Sequence, residues 1–257
     1  MVEIKSLSTG FGTKAVSKNI NLSLENGGFL TLIGPNGCGK TTLLRTIAGL
    51  LPKLEGNISI DNRKIDDYGK KELALKVAYL PQMREIPDIT AETLIKHGRF
   101  PHLGFSRRLS SKDLEMVQYA IELTGTECLR HKNLRMLSGG ERQQVYLAMT
   151  VAQDARLVLL DEPGTYLDIS NRFSVMELVK KLNARGAAVM MTLHDLSDAM
   201  DFASRICLMD RTGDIVCDGS AEALFCSGLL ERVFNVSVEK ACPNQVSFYH
   251  FRPKKNI

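Results

Sequence analysis

Gly34-Pro35-Asn36-Gly37-Cys38-Gly39-Lys40-Thr41 follows the apolar run Phe29–Ile33 and precedes a stretch in which Leu43, Leu44, Ile47 and Ala48 recur at helical spacing up to Gly49. Strand, glycine-rich turn and helix in that order are the context in which G-x-x-x-x-G-K-[ST] cradles phosphate. Glycines let the backbone close on phosphate oxygens, so that successive N–H groups and the helix start face the anion. In such a loop Lys40 neutralises the β- and γ-phosphates of a nucleotide. The Thr41 hydroxyl ligates Mg²⁺, and Thr42 completes the phosphate-contacting set Gly34 to Thr42.

Working outward, Val2 to Leu7 and Ile20 to Leu24 read as strands. Asn26-Gly27-Gly28 reads as a hairpin-type turn between Ile20 to Leu24 and Phe29 to Ile33. Further strands are expected at Gly56 to Ile60 and Val77 to Leu80. From Pro87 to Ala152 strand patterns vanish, and amphipathic segments such as Leu114 to Leu123 alternate with Gly98, Gly104 and Gly125, which predicts a helical insert. Strand–helix alternation then resumes. Strands are expected at Leu157 to Leu160, Ala188 to Thr192, Ile206 to Met209 and Ile215 to Cys217, and helices at Arg172 to Asn183 and Asp195 to Phe202. Alternation of this kind implies an α/β fold with a largely parallel sheet.

Two more strings carry chemistry. Leu157-Val158-Leu159-Leu160-Asp161-Glu162-Pro163 is a buried-strand pattern that delivers two carboxylates at its C-terminal edge, where ligands of α/β folds bind. Beside a phosphate loop, Asp161 is expected to hold the Mg²⁺ shell and Glu162 to orient and deprotonate an attacking water. In Leu137-Ser138-Gly139-Gly140-Glu141-Arg142-Gln143-Gln144, Ser138 and Glu141 form a capping box that opens a helix burying Val145, Ala148 and Ala152. Two glycines in its first turn disfavour helix by about 1 kcal/mol each, so they point to a ligand approaching the backbone.

In these strings the chain resembles the nucleotide-binding subunits of ATP-binding-cassette (ABC) transporters, and the resemblance covers nearly its whole length. The resemblance implies a P-loop NTPase (RecA-like) core from 1–86 and 152–235, with an N-terminal antiparallel β subdomain. It also implies an inserted helical subdomain at 87–151 and a tail at 236–257. Phe11, between Gly10 and Gly12, matches the aromatic that stacks on adenine, and Gln82 the glutamine that senses Mg²⁺ and joins core to helical subdomain. Ser138, Gly139 and Gly140 match the residues that touch the γ-phosphate held by the opposite protomer. Asp168 matches the aspartate of the loop after the Glu-Pro pair, and His194 the switch histidine at the γ-phosphate. One departure stands in Gly164-Thr165-Tyr166-Leu167-Asp168: the threonine usual right after Glu-Pro is absent.

Within that family, Gly98-Arg99-Phe100-Pro101-His102-Leu103-Gly104 resembles the helical-subdomain segment of importers for ferric siderophores, haem and vitamin B12. The implied protein is an ATPase of an iron-chelate importer, using ATP and Mg²⁺. Two copies would sandwich two nucleotides head to tail, and the cleft beside residues 82 to 104 would engage two integral-membrane permease subunits. A periplasmic or surface solute-binding protein would act indirectly, and the chain would sit peripherally on the cytoplasmic face of the membrane. Three other readings stay open: an ABC ATPase of assembly or regulation without a permease, a nucleotide-gated interaction module that does not hydrolyse, and an exporter half lacking its own spans. Glu162 and His194 argue against the second, and the 98 to 104 segment is less consistent with the third.

Composition sets the outer bounds. The 257 residues are 44% hydrophobic and 24% charged, ordinary for a globular chain and unlike disordered, collagenous or coiled-coil sequences. The richest apolar runs fall far short of the roughly 18 residues a spanning helix needs, and Met1 to Lys5 does not read as a signal peptide. A net charge of +4 is too mild and dispersed to argue for nucleic acid as a partner, and Arg107-Arg108 and Lys254-Lys255 read as solvated surface. Six cysteines with no C-x-x-C pair and no zinc-like spacing to the five histidines are expected to be small buried residues of a reducing compartment.

Overall fold

The structure is a computed structural model that describes residues 1–82, 85–104, 108–165, 167–242 and 248–254. Arg107, Tyr166 and Lys255 lie outside the described residues; Arg108 and Lys254 are exposed, as read.

In chain order come β1 (Val2–Phe11), β2 (Lys14–Leu24), β3 (Phe29–Ile33), α1 (Lys40–Ile47), β4 (Glu55–Ile60), β5 (Arg63–Lys64), α2 (Lys70–Ala74) and β6 (Val77–Leu80). Then follow α3 (Ala91–His97), α4 (Ser111–Thr124), α5 (Gly139–Gln153), β7 (Leu157–Asp161), α6 (Ile169–Ala184), β8 (Ala188–Thr192) and α7 (Leu196–Phe202). The chain closes with β9 (Arg205–Met209), β10 (Ile215–Gly219), α8 (Ala221–Cys226), α9 (Leu229–Phe234), β11 (Val236–Ala241) and β12 (Phe248–Pro253). A short 3₁₀ turn at Ile65–Asp67 joins β5 to α2, and others at Phe100–His102, Glu127–Leu129 and Leu134–Met136 lie between the helices α3 to α5.

The chain forms two compact bodies: Met1–Leu24 with Phe29–Lys64 and Met190–Ile257, and Glu25–Gly28 with Ile65–Val189. In the first, β2-β1-β4-β5 is an antiparallel sheet in which Val2 faces both Leu24 and Ile60. Alternation puts Val2, Ile4, Ile20, Leu22, Ile58 and Ile60 inside. The same body holds strands in the order β10-β9-β3-β8, with β3 and β9 parallel. All five residues of β3 are buried, as a strand covered on both faces requires. The tail is a hairpin, β11 against β12, with β11 lying on α9 and β12 on α7.

In the second body β6 and β7 run parallel, Val77 beside Leu157, and β7 is followed by the start of β8. The stretch from α3 to α5 carries no strand among the described residues, only the bridge Thr90–Asn133. Here α5 packs on α3, α4, β6 and α6. No helix of the described residues is long and apolar enough to cross a membrane.

Two expectations are corrected. Residues 26–28 do not make a hairpin, since β2 pairs with β1 while β3 takes β9 and β8 as neighbours. A strand buried on both faces belongs in a parallel sheet, whereas β2 alternates and suits an antiparallel one. The cysteines are not uniformly buried: Cys38 and Cys207 are, Cys217 is half-buried, and Cys128, Cys226 and Cys242 are exposed.

Candidate active site

In the first body the phosphate loop leaves β3 and enters α1. Gly39 is the N-cap of α1 at φ +107°, a left-handed conformation, and a Cβ there would stand 3.0 Å from Val16 Cγ1. The Lys40 side chain folds back over the loop, donating to the Gly34 carbonyl at 2.7 Å and the Pro35 carbonyl at 3.1 Å. Its ammonium is thereby held among the backbone groups expected to receive phosphate. Thr42 is buried and Thr41 exposed. Cys38, within the loop, is buried, and burial pushes its thiol pKa up against the pull of Lys40, which disfavours the thiolate.

Phe11 ends β1 with 55% of its surface exposed, an apolar ring held in the open where a stacking partner can reach it. His194 is exposed just after β8, and the next residue, Asp195, caps α7 by accepting from the Ser197 and Asp198 amides at 2.9 and 3.2 Å.

In the second body β7 delivers Asp161, 1% exposed, where the Tyr79 hydroxyl from the neighbouring strand β6 donates to its Oδ2 at 3.2 Å. Glu162 follows at φ +49°, a conformation that costs a non-glycine residue about 1–3 kcal/mol. Gln82 Nε2 donates to Glu162 Oε2 at 2.6 Å, and Thr165 Oγ1 donates to the same oxygen at 2.9 Å. The turn is held from below by Gln143, whose buried Nε2 donates to the Pro163 carbonyl at 2.6 Å.

The capping box is present: the Glu141 amide donates to Ser138 Oγ at 3.2 Å and the Ser138 amide to Glu141 Oε2 at 2.8 Å. The Ser138 amide, and after it the Ser138 hydroxyl, keep the Glu141 carboxyl pKa below its ordinary value. Ser138 and Gly139 are exposed, and nothing lies within 4 Å of where a Gly139 Cβ would stand. Gly140 differs: a Cβ there would meet the Asn171 side chain at 2.6 Å. Asp168 is an exposed N-cap of α6, accepting from the Asn171 amide at 2.8 Å and side chain at 2.9 Å.

The 98–104 stretch is largely a structural joint. A Gly98 Cβ would sit 2.3 Å from the Met149 carbonyl. Arg99 is buried, donating from Nε to Asp113 and from Nη1 to the Ala152 carbonyl. His102 Nε2 lies 2.8 Å from the Gln153 carbonyl, leaving Phe100, 54% exposed, as the side chain turned outward.

The first body thus carries Phe11, Gly34 to Thr42 and His194, and the second Gln82, Ser138 to Gly140, Asp161, Glu162 and Asp168. Sequence reasoning missed Tyr79, Gln143 and Thr165 as partners of this machinery. Their bonds to Asp161 and Pro163 cross 82 and 20 residues, beyond any local pattern, and only Thr165, three residues from Glu162, was within reach of one.

A family model described as "ABC transporter" matches residues 17–165. The chain belongs to that family. ATP-binding proteins of ABC transporters are ATPases that bind ATP, and so is this one. It is 37% identical to the petrobactin import ATP-binding protein FpuC of Bacillus anthracis, over 99% of this chain and 93% of that one. It is also 37% identical to the ferric enterobactin transport ATP-binding protein FepC of Escherichia coli K12, over 90% and 86% of the two chains. The iron(3+)-hydroxamate import ATP-binding protein FhuC of Bacillus subtilis is 34% identical over 91% and 88%. Among solved structures, a transporter assigned to the metal-chelate type, caught inward-facing, superposes with TM-score 0.83 over 98% of this chain and 96% of that one at 24% identity. An ATP-binding cassette in a dimeric, post-hydrolysis state with ADP and Pi superposes at TM-score 0.74, 27% identical, over 86% and 99%.

Proposed function

We propose that this chain is the ATP-hydrolysing subunit of an importer that takes up a ferric siderophore or a related metal chelate. The observation that carries the hydrolytic part is the Glu162 carboxylate, at the exit of β7 beside Asp161 and oriented by the Gln82 amide. Near full-length likeness to siderophore import ATP-binding proteins supports the cargo.

Phe11 stacks on adenine, while the backbone from Gly34 to Thr42 and the Lys40 ammonium take the phosphates. Ser138, Gly139 and Gly140 of a second copy meet the γ-phosphate from the other side, and Asp168 is the aspartate of the loop that follows the Glu-Pro pair. The dimer is closed and two-fold, an arrangement supported by dimeric cassettes at 26–27% identity. Glu162 takes a proton as water oxygen bonds to the γ-phosphorus in line. The bond from that phosphorus to the β–γ bridging oxygen breaks, leaving ADP and inorganic phosphate. His194 contacts the γ-phosphate, so that its departure removes the contacts that hold two copies together. Thr41, Gln82 and Asp161 offer hydroxyl, carboxamide and carboxylate oxygens, a hard donor set that suits Mg²⁺. Mg²⁺ bound there would neutralise charge on the phosphates. Two membrane permease subunits receive the motion through the stretch 82 to 104 on the cytoplasmic face, with a periplasmic or surface solute-binding protein delivering the chelate.

Glu162→Gln tests the base: ATP binding persists, turnover falls by about 10²–10⁴ and an ATP-loaded dimer accumulates. A variant hydrolysing at the wild-type rate refutes the assignment. Deleting the chain should abolish ferric siderophore uptake and leave no partner for a polytopic membrane protein that otherwise co-purifies with it; unchanged uptake overturns the import reading.

A further inference from the structure

We propose that Thr165 is a positioning residue for the Glu162 carboxylate, an inference that rests on the hydrolytic reading above. The chain has glycine, not threonine, directly after Glu162-Pro163. A Cβ at position 164 would lie 3.1 Å from Arg172 Cγ, a tight approach that the arginine stem would have to ease by a few tenths of an ångström. The hydroxyl arrives one residue later. Thr165 closes the turn twice, its amide donating to the Glu162 carbonyl at 3.2 Å and its Oγ1 to Glu162 Oε2 at 2.9 Å.

Gln82 donates to that same Oε2 at 2.6 Å. Two neutral donors converging on one oxygen define the plane of the carboxylate, whose terminal torsion is otherwise broad. They assign Oε2 to the scaffold and the proton-accepting duty to Oε1. A general base works only when its oxygen lies within hydrogen-bond reach of the water in line with the γ-phosphorus, and small misplacements cost rate steeply. Thr165 touches no reacting atom in this scheme. Its loss therefore lowers the chemical step and leaves nucleotide binding alone.

The test is a set of variants in the full chain, read by phosphate release and by nucleotide affinity. Thr165→Val keeps shape and removes the donor; kcat should fall about ten-fold with KM for ATP within about two-fold. Thr165→Ser, which restores the hydroxyl, should return kcat to within about two-fold of wild type, while Thr165→Ala should not. In a Glu162→Gln background Thr165→Val should add no further loss. Undiminished kcat in Thr165→Val, or an equal fall in the Ser and Ala variants, overturns the proposal and leaves the base reading intact. Full activity in Glu162→Gln alone defeats the base reading itself. Should Thr165→Val fail to fold, the Ser against Ala comparison decides the matter.

Discussion

Asp113→Ala should destabilise the protein by about 3–5 kcal/mol at pH 7, the cost of breaking a buried ion pair from one side. Arg99 is 3% exposed and Asp113 7%. The guanidinium donates from Nε and Nη2 to the same Asp113 oxygen at 2.9 Å, and from Nη1 to the Ala152 carbonyl at 2.8 Å. Without the carboxylate the guanidinium keeps one carbonyl and is otherwise stranded. The same carboxylate closes the capping box of α4, accepting from the Ser110 amide at 2.9 Å and hydroxyl at 2.6 Å, a feature worth about 1 kcal/mol. Both effects act through one group, so they are not summed in full. The Ser110 hydroxyl above all, then the Ser110 amide and Arg99, hold the Asp113 pKa at about 2 against an ordinary 3.8. A depressed native pKa means the stabilisation is complete above the unfolded value and drains away as pH falls towards the folded one. Wild type should therefore lose on the order of 2 kcal/mol from this group between roughly pH 5 and pH 2. Urea unfolding of the full chain in steps across that range, with hydrogen exchange on α4, reads both quantities. The gap between wild type and Asp113→Ala should narrow with acid. A gap under about 1 kcal/mol at pH 7, or one that stays flat with pH, refutes the reasoning.

Lys40→Ala should weaken ATP binding by about 10- to 100-fold, as loss of a charged hydrogen-bonding group does, and unchanged affinity of a fluorescent nucleotide would count against the cradle. Phe11→Ala should lower affinity for ATP about 2- to 10-fold while leaving affinity for inorganic triphosphate unaltered, because only the nucleoside needs the ring; equal losses for both would remove the stacking role. His194→Ala should cut phosphate release about 100-fold with the urea midpoint unmoved, given the exposure of that side chain, and a rate at the wild-type level would end its assignment.

What was legible in the sequence follows from how each feature is held. β3, β6 and β8 fall on the residues read for them, because a mostly buried strand shows as a short run that is apolar but for an occasional threonine. β1 runs on past Leu7 and β2 starts before Ile20, because the added residues mix polar ones with Phe11, Ala15 and Val16 out of alternation, and the backbone leaves the ladder's period at Ser6 (φ 48°) and Asn19 (φ 49°). Bulges of that kind leave no trace in apolar spacing. The phosphate loop and the Ser138 cap were readable because their partners lie within a few residues. The Gln82–Glu162 bond joins residues 80 apart, and only the resemblance to a family placed Gln82 in the site; nothing placed Tyr79 or Gln143 there.

The bonds that escaped the sequence share one element. α5 begins at the Ser138 cap, and one turn later its Gln143 grips the Pro163 carbonyl beside Glu162. Midway, the Tyr146 hydroxyl donates to the Glu85 carbonyl, three residues beyond Gln82. At its far end the Ala152 and Gln153 carbonyls receive Arg99 and His102, and Gln153 Nε2 reaches the Ala74 and Val77 carbonyls. A helix of 15 residues is a rod of about 22 Å. The turn that holds Glu162, the proposed base, is therefore fastened to the start of α5, and the stretch proposed for the permease to its middle and far end. A displacement of the Glu162 turn of even an ångström must either break the Gln143 bond or carry α5 with it. Gln143 is buried, so breaking that bond would strand its amide and the Pro163 carbonyl at a cost of about 1–3 kcal/mol, which ties the Glu162 turn to the start of α5.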